Sequence, residues 1–555
     1  MISICYIVCI LGIAAALSIP LGKWMHRILC PEKETALDAI CHAVIGKASY
    51  TNQNWKQYAA ALLLFNLILF AAAALILMFQ QNLPWNPDKA GALSPSLIFH
   101  TVSSFVTNTN QQHYSGESSM SFFSQIFALM WLQFTSAATG LAAFTAAARW
   151  FGNSGARNNF YLDLARSAFG VLLPAAALTA FLLVLCGLPM TLEGAAVAHT
   201  LEGALQTIAR GPVAAFTAIK QLGTNGGGFF GANSTHPLEN INFYSNLIEC
   251  VSLLVIPMAC VWLYGHITKH RRHARIIFLV MLGLLLIKIT VATALESAPA
   301  PALRGLPVAE TANPEGKELR FGTAASPVWT VFTTCSSNGS VNSMHSSLNP
   351  LTGLVPLIGM WLNVTFGGIG VGFLGILSYV LVAVFISGMM VGRTPEYLGK
   401  KVETREMKFA IPILLLHPLC ILGGTALFCL IPAWGRDTVL NPGFHGFTEL
   451  LYEFTSASAN NGSGFEGLRD NTLPWNLATG ILMLVGRYLP ILLTFAIAGS
   501  LYQKKEIPET VGTLKTDTPL FGGVLAGTLL FIGALLFLPV AVLGPVAEYL
   551  TTAGI

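Results

Sequence analysis

Charge is scarce in this chain. Only 10% of its 555 residues are Asp, Glu, Lys or Arg, whereas a soluble chain carries roughly 25% to keep its surface hydrated. With 54% hydrophobic residues and a mean hydropathy of +0.64, the composition calls for a lipid bilayer as the solvent. Blocks of consecutive Lys and Arg are missing too, and a net charge of +4 is small for this length, which argues against a nucleic-acid partner. The 10 cysteines form no Cys-x-x-Cys pair, and Cys5, Cys186, Cys250, Cys420 and Cys429 lie inside apolar runs. A disulfide framework and a cysteine-based zinc site are therefore not expected.

Long apolar runs are what the sequence has instead. Crossing the hydrocarbon core takes about 20 mostly apolar residues. Ten such segments occur, near 3–21, 58–79, 120–148, 167–187, 243–265, 276–296, 355–391, 409–432, 474–500 and 519–545. The first has no basic stretch before it, and its first positive charges, Lys23 and Arg27, follow it. It reads as an uncleaved helix with its N-terminus outside. The loops after the odd-numbered segments, running from Lys23 to Lys515, hold 20 of the 30 basic residues. The positive-inside rule makes those loops cytoplasmic and puts both termini outside.

The opposite connections share a pattern. Four carry an apolar segment too short to span, followed by a Gly/Asn/Ser/Thr cluster: "PSLIFHTVSSFV" before "TNTNQQ", "VAAFTAIKQL" before "GTNGGGFF", "SPVWTVFTTC" before "SSNGSVN", and "FTELLYEFTSAS" before "ANNGSGF". The clusters align in three columns: Asn108, Thr224, Ser337, Asn460; Thr109, Asn225, Asn338, Asn461; and Asn110, Gly226, Gly339, Gly462. The copies lie about 116, 113 and 123 residues apart, which suits one helix-loop-helix unit each. The expected fold is an all-α polytopic membrane protein of ten transmembrane helices, with four pseudo-symmetric membrane-pore-membrane repeats around a central pore. The units are an N-terminal helix and loop over 1–57, pore repeats over 58–157, 158–275, 276–400 and 401–510, and a C-terminal helix over 511–555.

Non-helical backbone at membrane depth survives only where it is buried in protein or lines a watery cavity. Four such loops around one axis would present a ring of carbonyls, which can replace the hydration shell of an alkali cation. The twelve aligned residues are thus candidate ligands for K+, with Gln112 and Gly227 beside them as further candidates. A Gly/Asn/Ser-rich loop taken singly reads as a solvated connector; four at matching positions favour a filter.

These loops, with the longer strings "LGTNGGGFFGANSTHPLEN", "TNTNQQHYSGE", "NGSVNSMHSS" and "TSASANNGSGFEG" and with "GRTPEYLGKKVETREMK" at 392–408, resemble the KdpA family, the potassium-translocating subunits of Kdp P-type ATPase complexes. The resemblance runs from the first span to the last. It implies a subunit of the bacterial inner membrane that selects K+ from outside and passes it through an internal tunnel to a KdpB-like P-type ATPase subunit, beside KdpC-like and small KdpF-like subunits. This chain has neither an Asp-Lys-Thr-Gly motif nor a Gly-x-x-x-x-Gly-Lys-[Ser/Thr] loop, so it is expected to be no enzyme on its own. The alternative is a self-sufficient potassium channel or symporter of the same superfamily. Three positions depart from the family pattern: Gln111 replaces an aromatic residue, Asn338 a cysteine, and Asn363 an acidic residue near the tunnel entrance. They bear on affinity and coupling rather than on the carbonyl ring.

Other residues leave two readings open. "FGGIGVGFLG" at 366–375, with Gly367 and Gly368, is either a broken, gating helix or a close-packing stretch. Arg487 lies inside the ninth segment and either braces the filter, repels cations or reaches an interface; Lys288 is similar, with snorkelling as its alternative. Glu117, Glu239 and Glu466 follow the filter loops and either concentrate cations at the mouth or are solvated charges. His236 with Glu239 makes a poor metal site, having two ligands and no third. The 269–275 stretch "KHRRHAR" reads as an anchor on anionic lipid, and 392–408, including Arg393, as a docking surface for the ATPase partner.

Overall fold

The computed structural model describes residues 2–303, 312–317, 320–390, 392, 394–507 and 514–554; Arg393 lies outside the described residues. Among the described residues, ten helices are long and apolar enough to cross a membrane, from Ile4–Leu29 to Pro519–Ala553. Their ends follow local rules. Asn54 caps the second span by accepting from the Lys56 and Gln57 N–H groups, and Asn242 caps the fifth in the same way; both satisfy donors that the first helical turn leaves free. Proline starts the first short helix, Pro95–Val106, behind its Ser94 cap, where a missing N–H costs nothing.

The run at 355–391 is two helices. Pro350–Leu362 ends at Asn363, which adopts a left-handed conformation with φ 47°, and the seventh span, Val371–Met390, begins after an irregular loop. A continuous helix is broken there by Phe366 and Gly370, both at positive φ. Two small antiparallel hairpins complete the fold: Ala196–His199 with Leu205–Ile208, and Glu396–Tyr397 with Lys400–Lys401.

Burial sorts the spans into two shells. The third, fifth, seventh and ninth are 72%, 78%, 72% and 56% buried, and none of the others exceeds 44%. Each inner span is preceded by one of four short helices, Pro95–Val106, Val213–Leu222, Gly322–Cys335 and Gly443–Ser458, with Pro350–Leu362 coming between the third of these and the seventh span. Lipid is as apolar as leucine, so inner spans are selected by close packing and by polar side chains they must shelter. The third span illustrates this with Ser136, Ala137, Ala138, Thr139, Gly140, Ala142 and Ala143, all buried.

Two loop cations of the topology count prove structural. Arg149 lies inside the third span's helix and is 1% exposed. Its Nη1 donates to both Asp163 oxygens at 2.9 Å, Tyr58 Oη donates to Asp163 Oδ2 at 3.1 Å, and Nη2 donates to the Leu29 carbonyl. Arg166 pairs with Asp38 at 2.8 Å. Together these pairs staple the first four spans at one end. The stretch at 394–408 is likewise tied down: Lys504 Nζ bonds the Lys401 carbonyl, Glu403 and Glu406, and the Ile507 N–H meets the Gly399 carbonyl.

Removing one member of a buried ion pair strands the other, at a cost of about 3–5 kcal/mol, whereas replacing both by apolar groups is often neutral. Asp163→Ala should therefore lose about that much stability, and Arg149→Met with Asp163→Leu should recover most of it, read from unfolding of the detergent-solubilised protein.

Candidate ion-selectivity site

The four short helices end in the same way. Two residues beyond each C-terminus stands a left-handed residue: Asn108 at φ 66°, Thr224 at 49°, Ser337 at 52° and Asn460 at 52°. The next residue donates its N–H five positions back: Thr109 to Ser104, Asn225 to Lys220, Asn338 to Thr333 and Asn461 to Ser456, at 2.9–3.0 Å. This is the closure that satisfies the last carbonyls of a helix. Asn tolerates the left-handed region well; Thr224 and Ser337 sit there at a cost, so their surroundings must fix them. Thr224 Oγ1 accepts from the Ile369 N–H at 2.9 Å, and Ser337 Oγ donates to the carbonyls of Ala459 and Asn460 at 2.8 and 3.2 Å.

Side chains of the first two columns stitch each loop to a neighbour. Asn108 Nδ2 donates to the Gly223 and Thr224 carbonyls at 3.0 and 2.9 Å, while Asn460 Nδ2 reaches Thr109 Oγ1 at 2.9 Å. Asn338 Nδ2 donates to the Lys220 carbonyl at 3.1 Å and Asn461 Nδ2 to that of Thr333 at 2.9 Å. Gln112 pairs reciprocally with Gly228, Nε2 to carbonyl at 3.1 Å and N–H to Oε1 at 2.9 Å.

The third column is where the loops meet. A Cβ on Gly226 would stand 2.6 Å from the Thr109 carbonyl oxygen, 2.9 Å from Gly462 Cα and 3.0 Å from the Asn461 carbonyl oxygen. Side chains on Gly339 or Gly462 would collide with the Asn461 and Thr109 carbonyl oxygens respectively, and both residues have positive φ, 92° and 103°. Only bare backbone fits in this constriction. The fourth member, Asn110, is fully buried, has φ 56°, and neither amide atom has a hydrogen-bond partner within the chain. Gly227 stands beside it and passes its carbonyl to Gln133 Nε2 at 2.9 Å.

Under the constriction lies a cavity of about 50 Å³ whose lining includes Ser337, Asn363, Gly368, His417, Asn460 and Arg487. A Cβ on Gly368 would stand 3.3 Å from Ser337 Cβ and 3.5 Å from Thr224 Oγ1, so the helix break abuts the second and third loops directly. Gly367 folds back on Asn363 and Gly372 in the same loop. Arg487 is 6% exposed and its Nη2 bonds nothing; it faces the cavity as a fixed positive charge. Lys288 does not snorkel: it is 7% exposed and donates to Thr365 Oγ1, in the break, at 3.0 Å. Asn363 Nδ2 donates to the Ala459 carbonyl at 3.0 Å.

Two of the outer glutamates, Glu239 and Glu466, are held by the protein, while Glu117 is partly exposed. Glu239 is fully buried and paired with Lys220, whose Nζ also donates to Asn233 Oδ1 at 2.8 Å and Ser234 Oγ at 2.6 Å. Asn233 Nδ2 in turn donates to the Gly226 carbonyl at 2.6 Å. An ion pair thus steers a filter carbonyl from behind. Glu466 accepts from the His345 N–H at 3.1 Å, and burial pushes its carboxyl up to about 7 although backbone N–H groups pull it down. Glu117 accepts from the Gly231 N–H at 2.7 Å. His236 stacks on Phe230 at 3.6 Å, a packing role.

Lys220, Asn233 and Gln133 escape sequence reasoning. Lys220 sits on a short apolar helix nineteen residues from its partner, and no spacing rule links the two. A lysine within an otherwise apolar helix was the one available signal.

The chain matches the family model described as KdpA, potassium-transporting ATPase A subunit, over residues 8–550. It is 47% identical over 542 residues to the curated potassium-transporting ATPase potassium-binding subunit of Geobacillus kaustophilus (strain HTA426), covering 96% of this chain and 97% of that one. Among solved structures it is similar to the potassium transporter TrkH from Vibrio parahaemolyticus, with a TM-score of 0.53 at 14% identity, covering 88% of this chain and 97% of that one. At that identity the likeness concerns the fold. A family match over almost the whole length, around four loops that meet on bare backbone, places this chain in the KdpA family of potassium-transporting ATPase A subunits.

Proposed function

We propose that this chain binds and translocates K+ for an ATP-driven uptake complex, as a non-hydrolytic subunit beside a P-type ATPase. The observation that carries the reading is the convergence of Gly226, Gly339 and Gly462 on the carbonyl oxygens of Thr109 and Asn461. Backbone without side chains, from loops that meet at one constriction, can present a ring of carbonyls, and a dehydrated K+ is the ion whose hydration shell such a ring replaces. The twelve aligned residues form the filter, one strand from each of four membrane-pore-membrane units. The side chains of Asn108, Ser337, Asn338, Asn460 and Asn461 tie the strands to neighbouring loops, so that the backbone serves the ion.

The inner spans and the break then follow in function. An ion leaving the filter enters the cavity beside Arg487 and the 363–370 loop. A guanidinium without a counter-ion repels a second cation there, which limits occupancy below the filter. Gly367 and Gly368 give the break its freedom and make it the gate. The filter side faces outwards, both termini lie outside, and the 392–408 stretch, with Lys401, Arg405 and Lys408 exposed, is the docking surface for the ATP-hydrolysing subunit in the bacterial inner membrane. The KdpC-like and KdpF-like subunits complete the complex.

Two outcomes test this. A bacterium deficient in potassium uptake should grow at low K+ when this chain is expressed with its presumed ATPase partners and not when expressed alone; Gly226→Asp should abolish rescue without affecting membrane insertion. Rescue by the chain alone would identify a channel or symporter instead. Asn233→Ala leaves the Gly226 carbonyl and Lys220 each one hydrogen bond short, a loss of about 1–3 kcal/mol; the KM for Rb+ uptake should rise about tenfold with the maximal rate nearly kept.

A further inference from the structure

Beside the first filter strand is a group of side chains that selectivity does not use. His113 stands three residues beyond Asn110, so the chain between them spans at most about 11 Å. Its Nε2 lies 3.0 Å from Glu453 Oε1 and 3.9 Å from Asp470 Oδ2. The three ligating atoms all fall within 4.8 Å of one another. They come from three separate pieces of chain: the first filter loop, the helix Gly443–Ser458, and the loop after the fourth filter strand. His113 and Glu453 are each 3% exposed, whereas the Asp470 side chain is 32% exposed and forms the accessible lip.

Orientation supplies the second, independent observation. His113 Nδ1 meets Asn476 Oδ1 at 2.7 Å. The Asn476 amide nitrogen is committed elsewhere, donating to Ser96 Oγ at 3.2 Å and Asn471 Oδ1 at 3.1 Å. An amide oxygen only accepts, so Nδ1 carries the proton and Nε2 points at the two carboxylates. A metal-binding histidine is oriented in this way, its second nitrogen donating to an oxygen behind it. His100 stacks on the other face of the ring at 3.6 Å and holds its plane.

We propose that His113, Glu453 and Asp470 form a divalent transition-metal site, of the zinc class, at the mouth of the filter, and that its occupation slows K+ uptake. One imidazole and two carboxylates suit Zn2+ with a water in the fourth position. Bonds of about 2.0–2.1 Å in a tetrahedron separate ligand atoms by about 3.3 Å; the distances found here bracket that value, and shifts of a few tenths of an ångström in His113 and a swing of the Asp470 lip close it. The metal must displace the Nε2 proton that the carboxylates otherwise hold there.

The link to transport runs through Gln111, which follows Asn110. Its Nε2 donates to the same Glu453 Oε1 at 2.7 Å. A metal on that oxygen competes for the lone pairs that anchor the strand, and it adds positive charge where K+ must arrive. This second half rests on the transport reading above.

The test is calorimetric titration of Zn2+ into the tag-free protein, with whatever subunits co-purify, alongside Co2+ absorption as a geometry probe. One saturable site should appear, at least about 100-fold weaker in Asp470→Asn and in His113→Gln, with thermal unfolding showing both variants folded. Binding that survives both substitutions, or no saturable binding, overturns the site. Zn2+ should also inhibit Rb+ uptake by the unaltered protein and not by Asp470→Asn; zinc that binds without inhibiting overturns the effect on transport. A protein that takes up no Rb+ at all fails the transport reading, and the calorimetry still decides the site.

Discussion

Peptide groups that leave a helix in an apolar medium must find partners inside the protein, and almost everything distinctive here answers that demand. Four short helices stop partway, and a left-handed residue turns each chain out of its helix. The carbonyls released are met by Asn108, Ser337, Asn338, Asn461, Gln133 and Asn233, and the Gly339 and Gly462 N–H groups by the Thr333 and Ser456 hydroxyls. With side chains occupied behind the strands, the glycines of three loops are left packed against the Thr109 and Asn461 carbonyls. Bare backbone at the constriction is what remains once side chains have satisfied the rest of the loops.

The same economy governs charge. A lone charge in a low-dielectric setting costs several kcal/mol, so buried cations are paired or put to use. Arg149 with Asp163 and Lys220 with Glu239 are paired, the first joining spans and the second fixing the second filter loop. Lys288 has only a hydroxyl, on the broken segment. Arg487 stands out because it lines the cavity beneath the glycine constriction and its Nη2 has no hydrogen-bond partner among the described residues. The two shells of spans reflect this division: the outer shell meets lipid, and the inner one shelters the polar groups.

Length and hydropathy made the ten spans legible, since a run of about twenty apolar residues has few other uses. The break at 363–370 was legible as excess length together with glycine. The bounds of two short helices, Pro95–Val106 and Val213–Leu222, coincide with apolar segments marked off in the sequence, because proline and the polar clusters punctuate them. The ion-pair network behind Gly226 was not legible: Lys220 carried no reading, Glu239 read as a mouth charge or a solvated one, and only the folding of 230–240 back over the short helix brings them together. His113, Glu453 and Asp470 are separated by 340 and 17 positions, beyond any local periodicity.

The sequence by itself determined the solvent, the number of crossings, the placement of the polar loops and the family, because each depends on composition or on neighbours along the chain. The tertiary structure alone decided which charges are buried in pairs, which carbonyl each amide holds, and that three glycines from three loops occupy one constriction. Those depend on how the chain folds back on itself, over 14 and 19 residues for the ion pairs and over more than a hundred between the glycine loops, and a sequence names the residues that can make such contacts without saying which of them meet.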